Sequence, residues 1–97
     1  MEFVSFRAEK ELKMQLELLA TMENKNKSDE YREIFLLGMQ EKKKEVSVRK
    51  YRLGELSLGK ASELSGLTNW EFLQLLREKK VPLNLTKEEV LEGVENL

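Results

Sequence analysis

Phe3, Ser5 and Arg7 stand at alternate positions near the N-terminus, so an extended backbone would place all three on one face. Their chemistry suits the reading of nucleic-acid base edges. An arginine can hydrogen-bond guanine O6 and N7 together, worth about 1–3 kcal/mol of discrimination. The serine hydroxyl can donate or accept, and Phe3 can contact a thymine methyl. A second reading stays open, in which Phe3 begins the core and Arg7 is a surface cation. Further on, Lys25, Asn26, Lys27 and Ser28 precede a helical pattern. Free N–H groups and the helix dipole at such a start can hold a phosphate. That contact sets register and carries no sequence information.

Bond-making chemistry is poorly supplied. The 97 residues include neither His nor Cys, which removes the usual general base, the thiolate nucleophile and the commonest metal ligands. Glu63, Glu71 and Glu78 read as solvated helix faces, and Glu88 and Glu89 as helix-capping carboxylates. The expectation is a binding protein and no enzyme, with no cofactor and no metal site.

Apolar residues make up 40% and charged residues 36% of the chain, a foldable composition. No apolar run approaches the roughly 18 residues of a membrane span, and no signal peptide is evident, so a cytoplasmic location is expected. Net charge is −1, which argues against a protein that coats DNA by charge alone. Residues 42–52 nevertheless hold six basic residues against one acid, Glu45. This run is either a solvated helix face or a phosphate-facing patch.

Periodicity gives the secondary structure that carries these groups. Residues 2–7 alternate enough for one short strand, with Val4 and Phe6 on the face opposite Phe3, Ser5 and Arg7. Ala8 to Glu23 reads as a helix, with Leu12, Leu16 and Leu19 at helical spacing and Met14, Leu18, Ala20 and Met22 widening the apolar surface. Asn24 to Lys27 breaks it, and Asn26 or Ser28 can cap the next helix. That second helix, from about Lys27 to Lys43, places Tyr31, Ile34, Phe35 and Gly38 on one face. On that face Gly38 suggests close approach of another backbone. A lone strand leaves its backbone groups unpaired, and a unit this small rarely buries enough core. Two copies pairing their strands about a two-fold axis would answer both needs. The dimer core would be Val4, Phe6, Leu12, Leu16, Leu19, Tyr31, Ile34, Phe35 and Gly38.

By this pattern residues 1–43 resemble a ribbon-helix-helix domain, the fold of the Arc, MetJ and CopG repressors and of many prokaryotic antitoxins. Ala8 replaces the usual Ser or Pro at the strand-to-helix junction, and Asn24 replaces the usual turn glycine. The resemblance implies a mainly α fold, dimeric, with one strand and two helices per chain, and with the strands in the major groove of an operator.

Residues 44–55 read as a basic helical linker, either continuing the second helix or forming a separate one, with Gly54 a plausible stop. Residues 56–97 form the last region. Ser57 caps a helix from Leu58, Gly66-Leu67-Thr68 makes a turn, and Thr68 with Glu71 forms a capping box for Asn69 to Lys79. Helix, glycine turn, helix is the helix-turn-helix pattern. With Phe72, Leu73, Leu75 and Leu76 inward, the outer face shows Trp70, Glu71, Gln74, Arg77 and Glu78. Two acids on that face suit a protein partner better than DNA. Trp70 reads either as a partner contact or as core packing over Leu73 and the last helix. Val81 to Leu85 reads as extended, and Thr86 opens a short acidic helix with Val90 and Leu91 apolar. The segment from Leu56 through Trp70-Glu71-Phe72 to Val81-Pro82-Leu83-Asn84-Leu85 resembles a family of small uncharacterised prokaryotic proteins regarded as antitoxin-like.

These resemblances imply an antitoxin that neutralises a protein toxin, a PIN-domain ribonuclease by expectation, and represses its own operon as a DNA-binding homodimer. The toxin-facing residues would be Trp70, Gln74, Arg77, Leu83, Leu85, Val90 and Leu91. The alternative is a ribbon-helix-helix regulator with no toxin partner.

Overall fold

A computed structural model of the chain describes residues 2–3 and 5–83. Its four helices are, in order, α1 (Lys10–Met22), α2 (Lys27–Arg52), α3 (Leu58–Ser65) and α4 (Asn69–Glu78). The mainly α expectation holds. The strand expected over residues 2–7 does not: the described residues before α1 belong to no helix or strand, and the ribbon-helix-helix assignment is corrected accordingly. The physical reason is the one that made the strand precarious. A single extended segment has no ladder partner within its own chain. The short acidic helix expected over residues 87–96, with Val90 and Leu91, lies outside the described residues, as do Leu85 and the strand residue Val4.

Three of the four helices end by the same local device, in which a left-handed residue just past the end lets two N–H groups turn back onto the last carbonyls. At α1 that residue is Asn24, with φ 56°. Asn24 N–H donates to the Thr21 carbonyl at 3.2 Å and Lys25 N–H to that of Ala20 at 2.9 Å. Asparagine therefore does the work expected of a glycine. At α2 it is Gly54 (φ 75°), with Glu55 N–H on the Lys50 carbonyl at 2.9 Å. At α4 it is Lys80 (φ 56°), with Val81 N–H on the Leu76 carbonyl at 2.9 Å. Helix starts are equally local. Asp29 N–H donates to Asn26 Oδ1 at 2.8 Å, Lys60 N–H to Ser57 Oγ at 3.2 Å, and Thr68 and Glu71 complete their capping box.

α2 runs unbroken through residues 44–52, so this stretch continues the second helix. The chain divides into two compact units, Met1–Leu37 and Gly38–Leu97.

The second unit has a complete small core of Val48, Tyr51, Leu58, Ala61, Phe72, Leu76 and Val81. Phe72 and Leu76 are wholly buried. Ser47, Ser62 and Ser65 are buried too, and each hydroxyl is satisfied locally: Ser47 Oγ donates to the Lys43 carbonyl at 2.6 Å, Ser62 Oγ to Leu58 at 2.8 Å and Ser65 Oγ to Ser62 at 2.6 Å. Small side chains with their polarity absorbed let helices approach closely.

The first unit is different. Among its described residues only Leu16, Ala20 and Glu30 are buried. Phe3, Phe6, Leu12, Met14, Leu18, Leu19, Met22, Tyr31, Ile34, Phe35, Leu36 and Leu37 all stay exposed. The wide apolar surface of α1 is real, and among the described residues of this unit only Leu16 and Ala20 of that surface are covered. Among the described residues no helix is long and apolar enough to cross a membrane.

Candidate functional site

In the first unit, α1 and the start of α2 frame an apolar hollow of about 390 Å³. It is lined by Phe6, Ala8, Leu12, Lys13, Gln15, Leu16, Leu19, Tyr31, Ile34 and Phe35. Phe6 reaches α2 from the N-terminal segment and meets the Tyr31 ring edge to face, centroids 6.3 Å apart. Seven of the nine residues expected in a dimer core thus come together in one place, without a strand to organise them: Phe6, Leu12, Leu16, Leu19, Tyr31, Ile34 and Phe35. Gly38 does not join them. Among the described residues nothing lies within 4 Å of where its Cβ would stand.

Phe3, Ser5 and Arg7 are exposed, on a segment with no strand to fix their common face. Lys25, Asn26, Lys27 and Ser28 sit together at the turn between α1 and α2, and the polar groups of Lys25, Asn26 and Lys27 are engaged within the chain. Lys25 is ion-paired with Glu33, and its Nζ lies 3.5 Å from Glu23 Oε2. The hydrogen bond to Glu33 raises the Lys25 pKa above its ordinary value. Lys27 pairs with Glu17 at 3.0 Å, and the bond from Lys27 holds the Glu17 carboxyl below its ordinary range. Asn26 caps α2 through Oδ1 and donates from Nδ2 to Asp29 Oδ2 at 3.1 Å. Ser28 is exposed.

Sequence reasoning missed what this turn contains. Glu23 at the end of α1, with Glu30 and Glu33 on α2, brings one carboxylate oxygen from each within 4.8 Å of the others. Glu30 is only 2% exposed, and its Oε2 is buried without a hydrogen-bond partner. Burial above all, then the hydrogen bond and charge of Glu23, pushes the Glu30 carboxyl above its ordinary pKa. The available signal was the i, i+3 spacing of Glu30 and Glu33, which puts both on one helix face.

In the second unit, Trp70 is 57% exposed at the start of α4. Arg77 is exposed, Gln74 half-buried and Leu83 exposed. Phe72 and Leu76 face the core, with Leu73 and Leu75 packed at its edge. The basic run on α2 is largely paired with its own helix face: Lys42 with Glu45, Lys44 with Glu41, and Arg49 with Glu45. Lys50 pairs with Glu55 at 2.6 Å. Residues 38–83 carry ten basic and six acidic residues, but residues 84–97 add one basic and four acidic ones, so the second unit as a whole is nearly neutral.

The fold and its exposed surfaces define a small helical protein of two units, one with a closed core and one with an open apolar face. The chain belongs to the uncharacterised protein family UPF0175, whose profile matches residues 8–97. It is similar to a UPF0175 protein of Aeropyrum pernix, 41% identical over 51 residues, covering 53% of this chain and 57% of that one. A UPF0175 protein of Archaeoglobus fulgidus is 44% identical over 50 residues, covering 52% and 58%. The matched stretch thus spans under two thirds of each relative's length. No solved structure matches the chain.

Proposed function

We propose that the chain is a homodimeric, non-enzymatic binding protein, an antitoxin that represses its own operon and neutralises a protein toxin. The observation that carries this reading is the open apolar surface of the first unit. Residues such as Leu12, Ile34 and Phe35 remain exposed around a hollow that α1 and α2 leave unfilled. Apolar surface of this extent on a soluble chain marks an association face. A second copy supplies a complementary apolar face under two-fold symmetry.

Dimerisation doubles every weak contact. Two copies of the exposed N-terminal segment present Arg7, Ser5 and Phe3 twice, and the basic stretch of α2 over residues 42–52 adds charge toward phosphates. Trp70, with Gln74 and Arg77 on the same helix, is the toxin-facing patch, since exposed Trp and Arg dominate binding hot spots. A PIN-domain ribonuclease is the expected toxin.

The test is a titration of the DNA upstream of the protein's own gene, read by fluorescence anisotropy at two salt concentrations. Wild type is expected to saturate with a clear salt slope, and Arg7→Ala to lose binding. Absence of wild-type binding at low salt would refute the operator part. Co-expression with the product of a neighbouring small nuclease gene tests the other part. Failure to form a complex, with DNA binding intact, would leave a regulator without a toxin.

A further inference from the structure

The turn between α1 and α2 concentrates negative charge around a group that is not satisfied. Glu23, Glu30 and Glu33 each place a carboxylate oxygen within 4.8 Å of the others. One cation, Lys25, answers all three, through its pair with Glu33 and its 3.5 Å contact with Glu23 Oε2. Its ammonium leaves Glu30 Oε2 without any hydrogen-bond partner although Glu30 is only 2% exposed. A buried carboxylate oxygen with no partner is costly, and such groups in native structures call for a water or an ion.

The arrangement has the features of a cation site. One ligand is buried and fixed, while Glu23 and Glu33 keep side-chain exposures of 45% and 42% and leave an open side for water ligands. The three oxygens lie within 4.8 Å of one another. Three oxygens bonded to one calcium ion at about 2.3–2.6 Å stand within about 4.5 Å of one another, so small side-chain adjustments would close them on one divalent cation. We propose that Glu23, Glu30 and Glu33 form a binding site for a divalent cation such as calcium, which displaces the Lys25 ammonium to solvent and ties the end of α1 to the first turns of α2.

The charges at the site predict how it responds. Calcium requires ionised carboxylates, so protons on the Glu23–Glu30 pair compete with it, while Glu33 and Lys25 set the surrounding field. Replacing Lys25 removes the internal competitor.

Calcium chloride is titrated into the metal-free full-length chain by calorimetry at pH 7.5 and 5.5. The expected result is one ion per chain, with affinity falling at the lower pH. Glu30→Gln is expected to weaken binding about tenfold or more, and Lys25→Met to tighten it. Should Glu30→Gln fail to keep its helical circular dichroism, Glu33→Gln on the open side carries the same criterion. No saturable binding by wild type below about 10 mM calcium, weaker than even low-affinity protein sites, overturns the proposal. So does a folded carboxylate variant that binds as wild type does. None of these outcomes depends on DNA or toxin binding.

Discussion

The Tyr51 ring, on the last turn of α2, meets the Phe72 ring of α4 edge to face, with centroids 6.1 Å apart and planes at 88°. Both residues are buried, Phe72 completely. This contact joins the long helix to the α3–α4 pair, and Leu58 and Val81 belong to the same core. Aromatic pairs in this geometry contribute beyond their buried area. Phe72→Ala is expected to cost about 3–5 kcal/mol, read as a loss of denaturant stability by circular dichroism.

Thr68 and Glu71 make a smaller but cleaner test. Glu71 N–H donates to Thr68 Oγ1 at 3.1 Å, and Thr68 N–H donates to Glu71 Oε1 at 3.0 Å. Thr68→Ala is expected to cost about 1 kcal/mol. The Thr68 backbone N–H, then its side chain, holds the Glu71 carboxyl below its ordinary value of 4.5. A depressed folded pKa means that stability is present above 4.5 and is lost as pH falls through the folded value. The Glu71→Gln variant should therefore unfold with a flatter pH dependence below 4.5 than wild type.

Glu30 has the opposite sign. Its pKa is raised, chiefly by burial, so its contribution is full below the ordinary 4.5 and is lost as pH rises through the folded value. In metal-free buffer Glu30→Gln should raise the thermal midpoint at pH 7, and the gain should vanish as pH approaches 4. An equal midpoint at both pH values would sink this account.

The open face of the first unit predicts an assembly phenotype. Phe35→Glu places a charge among Leu12, Ile34 and Tyr31 at the hollow. Sedimentation equilibrium should then show monomer where wild type is dimeric, with helix content retained. A wild type that is monomeric at hundred-micromolar concentration would remove the basis of the dimer reading.

What could be read from the chain was what neighbouring residues decide. Ser57 and the Thr68–Glu71 box start their helices as expected, because a cap needs only three or four residues to form. Asn24 was legible as a helix end for the same reason. The strand was not, because its stability belongs to a partner edge rather than to Phe3, Ser5 or Arg7. The carboxylate cluster was hidden because Glu23 and Glu33 are ten positions apart and meet only after the Asn24 turn folds α2 back. Local patterning assigned Lys25 and Lys27 to an external phosphate. The tertiary turn gave each of those lysines an acidic partner in the chain itself.

Gly66 ends α3 with φ 77°, and a Cβ of ordinary handedness there would stand 3.5 Å from Lys43 Nζ. The obstacle at this position is chirality more than space. An L-residue is strained at such an angle, whereas its mirror image is at rest there. At 97 residues the chain is within reach of chemical ligation. D-alanine at position 66 would keep the turn, remove glycine's freedom from the unfolded ensemble and stabilise the second unit by about 0.4–1 kcal/mol. The α3–α4 corner is in that sense a site where the enantiomer fits better than any of the chiral amino acids of the genetic code.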